Sequence, residues 1–512
     1  MRQALRTNPG RLPVARDAVV PVPVGGLNAR DALDSMPPSD ALSLDNWFPE
    51  PSYLRLRRGS EAWVTGFTDP VETLMEWDGD SGREFYAASG TGIYDVTTTG
   101  AVGSSVQTVT NARLQHLMFS NAGGNYLVAV NGADGVLTYD GTTWAVQVIT
   151  GATAADFVQV ASWGRRLWFA ATTGSKAYYL GTDAIAGAAS ELDLGAVWRR
   201  GGTLKAILSV SFENAGSGLN NYLGFLSSNG ELAVYSGTDP ASATTFAIVG
   251  NYQIGTPTGA RPYCQFGGDL LVLTQDGCVS LMTAIQVDRA SSSKATTTDK
   301  IARLFNDDWR DYGTAFGWQV LPYANGHAII VNVPTSDTTS QQYVQSTITG
   351  AWCRYTGMNA RCWGLFADEL YFGGTTAVYL ADSGTSDDGA AISGLVRTAF
   401  NRHKTPGMKR YTMVRPNMLA NGDPGALLAL DVDYETSAVG VPFAVTVGSS
   451  LWDVALWDVD VWGGASLAVR GWTAATAIGR TVSVSMATST IGATLQLNSF
   501  DLLLEQSKAP VL

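Results

Sequence analysis

The sequence predicts an all-β protein: an irregular β-propeller with an N-terminal extended arm and a C-terminal β-sandwich-like platform domain. Three observations favour this fold class. The chain has 56 glycines, and charged residues make up only 15% of it. Thr, Val, Trp and Tyr recur between clusters of Gly, Asn, Asp and Ser, a mixture typical of strands and tight turns. In the middle of the chain, a hairpin-like pattern repeats.

The N-terminal region, residues 1–60, is rich in proline and carries eight arginines. Proline fixes φ and lacks an amide donor, so an extended arm is predicted here rather than a helix or a central strand. Its apolar cluster is expected to anchor the arm, on its own domain or on a neighbouring subunit. The cluster consists of Leu42, Leu44, Trp47, Phe48, Tyr53, Leu54 and Leu56.

Residues 61–395 repeat a short apolar strand, a turn and a second strand. The predicted pairs are Glu84–Ser89 with Gly92–Val96, Tyr126–Val130 with Gly135–Gly141, Arg166–Ala171 with Lys176–Gly181, Tyr222–Ser227 with Gly230–Gly237, Leu270–Thr274 with Gly277–Met282, His327–Val333 with Gln342–Gln345, and Glu369–Gly373 with Ala377–Asp382. They begin roughly forty to sixty residues apart, near the period of propeller blades, and roughly six or seven blades would fit. Because WD40 and kelch signatures are missing, a sandwich with meanders stays an alternative.

One helix is predicted to interrupt the β pattern, over Asp299 to Arg310. Its apolar face carries Ile301, Leu304, Phe305 and Trp309. The acidic residues Asp307, Asp308 and Asp311 are expected on the solvated side with Arg310.

The C-terminal region, residues 396–512, predicts a separate β-domain of alternating strands. These strands are Leu427–Tyr434, Phe443–Val447, Ser466–Trp472, Thr481–Met486 and Thr494–Leu504. The tryptophans Trp452, Trp457, Trp462 and Trp472 crowd this region. They are interpreted mainly as core residues, with a sugar-stacking or interface role as the alternative.

Signatures of catalysis, cofactor binding and metal binding are missing from the sequence. The four cysteines include no CxxC pair and the three histidines are far apart. The cysteines are expected to be free buried thiols, with a Cys353–Cys362 pair as the alternative. GxSxG, Walker and HExxH motifs and the Asp boxes of sialidases do not occur. We therefore expect a non-enzymatic protein with no catalytic, cofactor or metal site, and, because no apolar run spans a bilayer, no membrane anchor.

The charge distribution argues against a protein that grips nucleic acid. The net charge is −12, whereas phosphate binding needs a basic surface. Ten acidic residues are predicted to make the first blades repel phosphate: Asp69, Glu72, Glu76, Asp78, Asp80, Glu84, Asp95, Asp134, Asp140 and Asp156.

The segment 397–415 is basic and contains no acidic residue. Its basic residues are Arg397, Arg402, His403, Lys404, Lys409, Arg410 and Arg415. It is either a strip that docks on an acidic partner or touches passing DNA, or a connector that pairs with carboxylates of its own chain.

Several motifs, in their order along the chain, resemble the tail nozzle proteins (tail tubular protein B) of short-tailed bacteriophages. The resemblance covers most of the chain. The matching segments are Gly25-Gly26-Leu27-Asn28, Leu44-Asp45-Asn46-Trp47-Phe48-Pro49-Glu50, Leu56-Arg57-Arg58-Gly59, Trp163-Gly164-Arg165-Arg166-Leu167-Trp168-Phe169-Ala170, Gly237-Thr238-Asp239-Pro240, Thr349-Gly350-Ala351-Trp352, Lys409-Arg410-Tyr411 and Val414-Arg415-Pro416. Trp-Asp repeats at 452 and 457 follow downstream.

The resemblance implies a structural protein of the virion tail, assembled in the host cytoplasm. In that family a β-propeller is carried by a platform built from the terminal regions. Six subunits, a homohexamer, form a ring-shaped conduit below the head-to-tail adaptor protein for genome retention and ejection. Tail fibre or spike proteins dock outside, and double-stranded DNA passes through transiently.

Subunit or adaptor contacts are predicted in the arm and in the basic segment. The candidate interface residues are Trp47, Arg57, Arg58, Arg397, Arg402, Lys404, Lys409, Arg410 and Arg415. Two other functions stay open: a receptor-binding, lectin-like propeller of a virion, and a capsule-degrading propeller enzyme.

Overall fold

The computed structural model describes residues 15–80, 82–214, 218–242, 244–286, 296–442, 467–469 and 471–506. The chain divides into two compact units. One, the propeller unit, spans residues 58–389, and the other, the platform unit, combines residues 1–57 with residues 390–512. The two units divide after residues 57 and 389, whereas the sequence predicted three domains with boundaries after residues 60 and 395. The arm, however, belongs to the same unit as the C-terminal region.

The propeller unit consists of successive antiparallel sheets, most of them with four strands. In chain order, the first sheet contains Val71–Gly79, Gly82–Ser89, Gly92–Asp95 and Gln107–Thr108, and the second contains Gln115–Asn121, Gly124–Val130, Val136–Tyr139 and Trp144–Gln147. The third contains Phe157–Trp163, Arg166–Ala171, Lys176–Tyr179 and Ser190–Asp193, and the fourth contains Leu204–Asn214, Gly218–Ser227, Glu231–Gly237 and Phe246–Gln253. The fifth contains Tyr263–Phe266, Asp269–Thr274 and Gly277–Ser280, and the sixth contains Gln319–Tyr323, Ala328–Pro334, Ser340–Ser346 and Trp352–Tyr355. The short strands Ile149–Thr150 and Gly187–Ala188 pair in parallel beside them.

The last sheet in the ring joins the beginning of the unit to its end. Cys362–Phe366, Glu369–Gly373 and Ala377–Ala381 form three of its strands, and Ser60–Thr65 pairs with the third of them. The short strand Gly100–Ala101 pairs in parallel with Ser60–Thr65. This shared sheet, the closing blade, links the two ends of the unit through main-chain hydrogen bonds. A closed ring leaves no open edge at that point.

The first strands of most neighbouring sheets contact one another around the ring, which places them innermost. The unit is therefore a β-propeller. Each predicted hairpin is present, although strand ends shift by one to several residues. The alternative of a meander sandwich is wrong for this unit.

Apolar side chains fill the spaces between neighbouring blades. Between the third and fourth of the sheets above, Trp168 is fully buried and its ring lies 4.7 Å from that of Tyr179 and 5.8 Å from that of Phe225. Between the closing blade and the first sheet, Val64, Leu74 and other apolar residues form a separate cluster. Blade packing thus depends on residues far apart in sequence.

The predicted helix is present and ends two residues later than expected. A 3₁₀ turn, Asp299–Ile301, leads into the α-helix Ala302–Tyr312. Ile301 and Phe305 are buried as predicted, but Asp308 is not a simple solvated residue. It accepts hydrogen bonds from the Tyr343 hydroxyl at 2.6 Å and the Gln341 amide at 2.7 Å, and burial raises the pKa of its carboxyl. A second short helix, Leu281–Gln286, and a 3₁₀ turn, Ala154–Asp156, complete the helical segments of the described residues.

The platform unit contains strands from both ends of the chain. Its described strands are Ala15–Pro21, Gly26–Leu27, Asp40–Asp45, Trp47–Pro49, Leu54–Leu56, Ile392–Thr398, Lys409–Ala420, Leu427–Val432, Val441–Pro442, Leu467–Val469, Thr473–Gly479, Val482–Thr490 and Leu495–Gln506. Ala15–Pro21 pairs antiparallel with residues 499–505, and Asp40–Asp45 pairs with Ile392–Thr398. Although the arm is rich in proline, it thus contributes strands to the sheets of the platform unit. The predicted strand Phe443–Val447 lies outside the described residues.

The apolar cluster of the arm anchors it within its own unit. Leu44, Trp47 and Leu54 are each 0% exposed. Gly394 makes this packing possible, because a Cβ atom there would lie 2.5 Å from Nε1 of Trp47. Of the two alternatives for the anchor, the structure favours the chain's own domain.

The four cysteines are buried and free, as expected. Cys353 and Cys362 lie in different sheets, which excludes the alternative hairpin pair. In the described part of the chain, no helix has the length and apolar character needed to cross a bilayer.

Candidate functional site

A cavity of about 650 Å³, here called the axial cavity, opens where the innermost strands of the propeller begin. Its wall comes from successive blades and from the segments that lead into them. The lining residues are Glu72, Asn111, Arg113, Gln115, Asn131, Val158, Gln159, Ala171, Thr172, Thr203, Leu204, Lys205, Ala260 and Phe316. A volume of this size suits a small organic molecule.

Three lining residues occupy equivalent bulges in the innermost strands. The pairing register shifts between Val71 and Thr73, between Phe157 and Gln159, and between Leu204 and Ala206. The residues skipped by the pairing are Glu72, Val158 and Lys205, and each lines the axial cavity. A β-bulge redirects a side chain relative to the regular alternation of the strand. The bulges therefore account for a carboxylate and an ammonium facing the cavity.

Glu72 is held by two arginines. Nε of Arg113 lies 3.2 Å from Oε1 and 3.3 Å from Oε2 of Glu72, and Nη2 of Arg361 lies 3.1 Å from Oε1. The Arg113 guanidinium also lies over the Phe316 ring, 4.4 Å from its centroid. Glu72 was predicted to contribute to an acidic surface that repels phosphate. That prediction was wrong for this residue, because two cations neutralise its charge.

Arg261 joins several blades behind the cavity. Its Nη2 donates to the Thr73 hydroxyl at 2.8 Å and to the Leu114 carbonyl at 3.0 Å, and its Nη1 donates to the Gln319 amide oxygen at 3.4 Å. Burial lowers the pKa of Arg261. Burial, together with the nearby Arg261 charge, also lowers the pKa of His116 to about 3, so this histidine is neutral near pH 7.

Lys205 differs from these arginines because it has no ion-pair or hydrogen-bond partner among the described residues. It is half-buried, and burial lowers the pKa of its ammonium group. The cavity and its immediate surroundings therefore hold four cationic side chains, Arg113, Lys205, Arg261 and Arg361, against the carboxylates of Glu72 and Asp134. Such a site favours an anionic ligand. Glycoside hydrolysis needs a pair of carboxyl groups, and Glu72 is the single carboxylate among the described lining residues.

The candidate interface residues of the arm occupy different environments. Trp47 is fully buried and Arg57 is 3% exposed, with its Nε donating to Asn46 Oδ1 at 2.9 Å. Both side chains therefore contribute to the interior of the platform unit. Arg58 is exposed.

The basic segment is also divided between internal and exposed side chains. Arg397 donates to the Ser437 carbonyl at 2.7 Å. Arg415 pairs with Asp501, with its Nε 3.0 Å from the carboxylate. Lys409 is 1% exposed and donates to the carbonyls of Thr405, Gly407 and Arg480. Arg415 thus pairs with a carboxylate of its own chain, as the connector interpretation predicted, whereas Arg397 and Lys409 bind main-chain carbonyls instead.

The exposed members of the basic segment are Arg402, Lys404 and Arg410. Arg402 donates to the Tyr434 hydroxyl at 3.4 Å, and Arg410 lies 4.0 Å from Glu505 while 58% exposed. His403 and Lys404 have positive φ angles of 44° and 64°, so the chain turns sharply here. An interface role for these exposed side chains stays a prediction.

The internal role of Lys409 leads to a stability prediction. We expect Lys409→Met to lower the free energy of unfolding by about 2 kcal/mol, because three carbonyls lose their common donor. Arg410→Met, at the exposed neighbouring position, should change it by less than about 0.5 kcal/mol. Urea unfolding followed by circular dichroism measures both. Equal stability of the two variants would contradict the structural role of Lys409.

The tryptophan cluster of the C-terminal region is only partly described. Trp452, Trp457 and Trp462 lie outside the described residues. Trp472 is 37% exposed, and the Arg415 guanidinium lies over its ring at 4.5 Å. This stacking gives Trp472 a partner within the chain.

Sequence reasoning did not find the axial cavity. Its charged residues are far apart in sequence: Glu72 and Arg361, for example, are 289 positions apart. A local charge pattern therefore does not indicate that they meet. The one available signal was positional: Glu72 and Lys205 each stand at the start of a blade's first strand.

No protein-family model and no curated protein matches the chain. One similar solved structure is the β-propeller domain of Myceliophteria thermophila Cps50 (Swd1), with 12% identity and a TM-score of 0.41, covering 63% of this chain and 99% of that chain. Another is BBS1N in complex with ARL6DN, with 9% identity and a TM-score of 0.39, covering 64% and 97% of the respective chains. The computationally designed Ika8 protein matches with 10% identity and a TM-score of 0.35, covering 63% and 99%. This likeness concerns the fold alone.

Proposed function

We propose that this chain is a structural subunit of a bacteriophage tail nozzle, a ring-shaped conduit for genome retention and ejection. The observation that carries the proposal is the composition of the platform unit, which combines residues 1–57 with residues 390–512, so that the propeller unit is inserted between them in the sequence. The resemblance in sequence motifs implies this same organisation, a propeller carried by a platform built from both terminal regions.

The charge of the chain is compatible with a conduit. A net charge of −12 keeps attraction to a passing polyanion weak, whereas a basic wall would hold DNA by releasing its counterions. In this proposal six subunits form the ring, the head-to-tail adaptor binds above it, and tail fibres or spikes dock outside.

Electron microscopy of virions tests the proposal. In particles made with an amber mutation in the gene, we expect tails that lack the nozzle and heads that lose their DNA. Antibodies against the chain should label the tail axis of wild-type particles. Intact, infectious tails without the chain would overturn the proposal. Labelling at fibre tips instead would favour the receptor-binding alternative.

The exposed basic residues provide a second test. In a cyclic ring, one patch of each subunit contacts a different patch of the next, so the exposed cations Arg402 and Lys404 are expected to face an acidic surface. The double variant Arg402→Glu/Lys404→Glu should reduce intact tails by at least about tenfold, since like charges would then meet across the contact. Counting tailed particles in micrographs measures the effect.

The matched control is Arg199→Glu/Arg200→Glu, which makes the same change of charge at two exposed residues of the propeller. It should leave tail numbers near the wild-type value. Lys409 is unsuitable for this test because its burial would confuse assembly with folding. Normal tails in the Arg402/Lys404 variant would exclude this segment from the contact.

A further inference from the structure

We propose that the axial cavity is a binding site for a small phosphorylated ligand, held chiefly by Lys205 and Arg113. The inference concerns the propeller unit alone and does not depend on ring assembly. It rests on the cavity, on the bulge that directs Lys205 into it, and on the excess of cations around it.

The charge around the axial cavity is positive, whereas the net charge of the whole chain is negative. Arg113 and Lys205 line the cavity itself, and Arg261 and Arg361 stand behind its wall. The nearby Asp134 directs its carboxylate to the Thr110 amide at 2.6 Å and to the Asn131 side chain at 2.6 Å. Such a concentration of positive charge in a concave, low-dielectric site attracts anions.

Lys205 is the group best placed to contact the ligand. Its ammonium has no carboxylate or hydrogen-bond partner among the described residues, whereas Arg261 donates to a main-chain carbonyl and Arg113 binds Glu72 through Nε and Nη2, which leaves Nη1 of Arg113 for a ligand. A half-buried, unpaired ammonium is costly, and a bound dianion would offset that cost. Thr203 and Gln115 add a hydroxyl and an amide to the same wall.

A phosphate group matches this arrangement. Lysine binds phosphate as a point charge, and the Arg113 guanidinium offers planar donors. The Phe316 ring, 4.4 Å from that guanidinium, restricts its orientation. The remaining lining residues are uncharged and combine amide and hydroxyl groups with apolar side chains, which leaves room for the organic part of a phosphate ester.

The geometry favours a small molecule over duplex DNA. The cations converge on one cavity of about 650 Å³ instead of following a strip along the surface. Proteins that bind duplex DNA distribute Lys and Arg over several successive phosphates. Binding of duplex DNA alone is therefore a result that would contradict the proposal.

Isothermal titration calorimetry of the full chain at low ionic strength tests the proposal. The probes are inorganic phosphate, glucose 1-phosphate and a short DNA duplex, each added separately. We expect saturable binding of a phosphate probe with one site per chain, and tighter binding of the ester if the ligand has an organic part. Lys205→Met should weaken this binding at least about tenfold, the loss expected for one charge-assisted contact.

Lys176→Met is the matched control, because Lys176 is exposed and already pairs with Glu191 at 2.9 Å on an outer strand. It should bind the probes like the wild type, and Lys205→Arg should restore part of the affinity. Thermal unfolding verifies that each variant is folded. The proposal is overturned if the wild type binds neither phosphate probe, if both Met variants lose affinity equally, or if only the DNA duplex binds in a Lys205-dependent way.

Discussion

Val64→Asp is expected to open the propeller at its closing blade. Val64 is 1% exposed, lies on Ser60–Thr65 and pairs with Val378 at the other end of the unit. A carboxylate there would be buried without a partner in an apolar cluster, which costs at least about 4 kcal/mol. We expect a large fall in the urea midpoint, or loss of the folded propeller.

Thr65→Asp is the control for this experiment. Thr65 is the next residue of the same strand, and its side chain is exposed. The same substitution should therefore change stability by less than about 1 kcal/mol. Hydrogen exchange would locate the effect: in Val64→Asp, the amides of Ala377–Ala381 should lose protection first. Equal stability of the two variants would show that the closing blade does not hold the ring together.

Trp168→Ala is expected to destabilise the propeller by about 3 to 5 kcal/mol, the usual cost of removing a large aromatic side chain from a core. Trp168 is 0% exposed, and besides Tyr179 and Phe225 its ring contacts Phe246 at 6.3 Å between ring centroids. The substitution would leave a cavity between two blades. Far-UV circular dichroism during urea unfolding measures the loss.

Two further variants define the cause of that loss. Trp168→Phe keeps part of the volume and should cost less than Trp168→Ala. Val148→Ala, at a residue that is 73% exposed, should be nearly neutral. A Trp168→Ala protein as stable as Val148→Ala would contradict the packing of these two blades.

Local patterns predicted the secondary structure well. The hairpin Arg166–Ala171 with Lys176–Tyr179 is present because alternating apolar residues and turn residues act over a few positions. The helix Ala302–Tyr312 follows from its apolar spacing in the same way. Polar residues were harder to place. Asp308 was assigned to solvent, but its partners Tyr343 and Gln341 come from a strand more than thirty positions away.

The pairing and burial of the N-terminal arm also could not be predicted from local sequence patterns. Its prolines predicted an extended conformation, and Ala15–Pro21 is indeed extended. What the sequence did not indicate is its pairing with Leu495–Gln506 at the far end of the chain. Trp47 and Arg57 were proposed as interface residues, but the same long-range packing buries them.

By itself, the sequence determined the all-β class and the repeated hairpins, because strand alternation and turn residues act locally. Only the tertiary structure decided which strands of the two terminal regions pair with each other and that Glu72, Lys205, Arg261 and Arg361 meet at one cavity. These features depend on which strands become neighbours when the ring closes. Closure of the ring brings together residues that are hundreds of positions apart, and local sequence patterns do not predict such contacts.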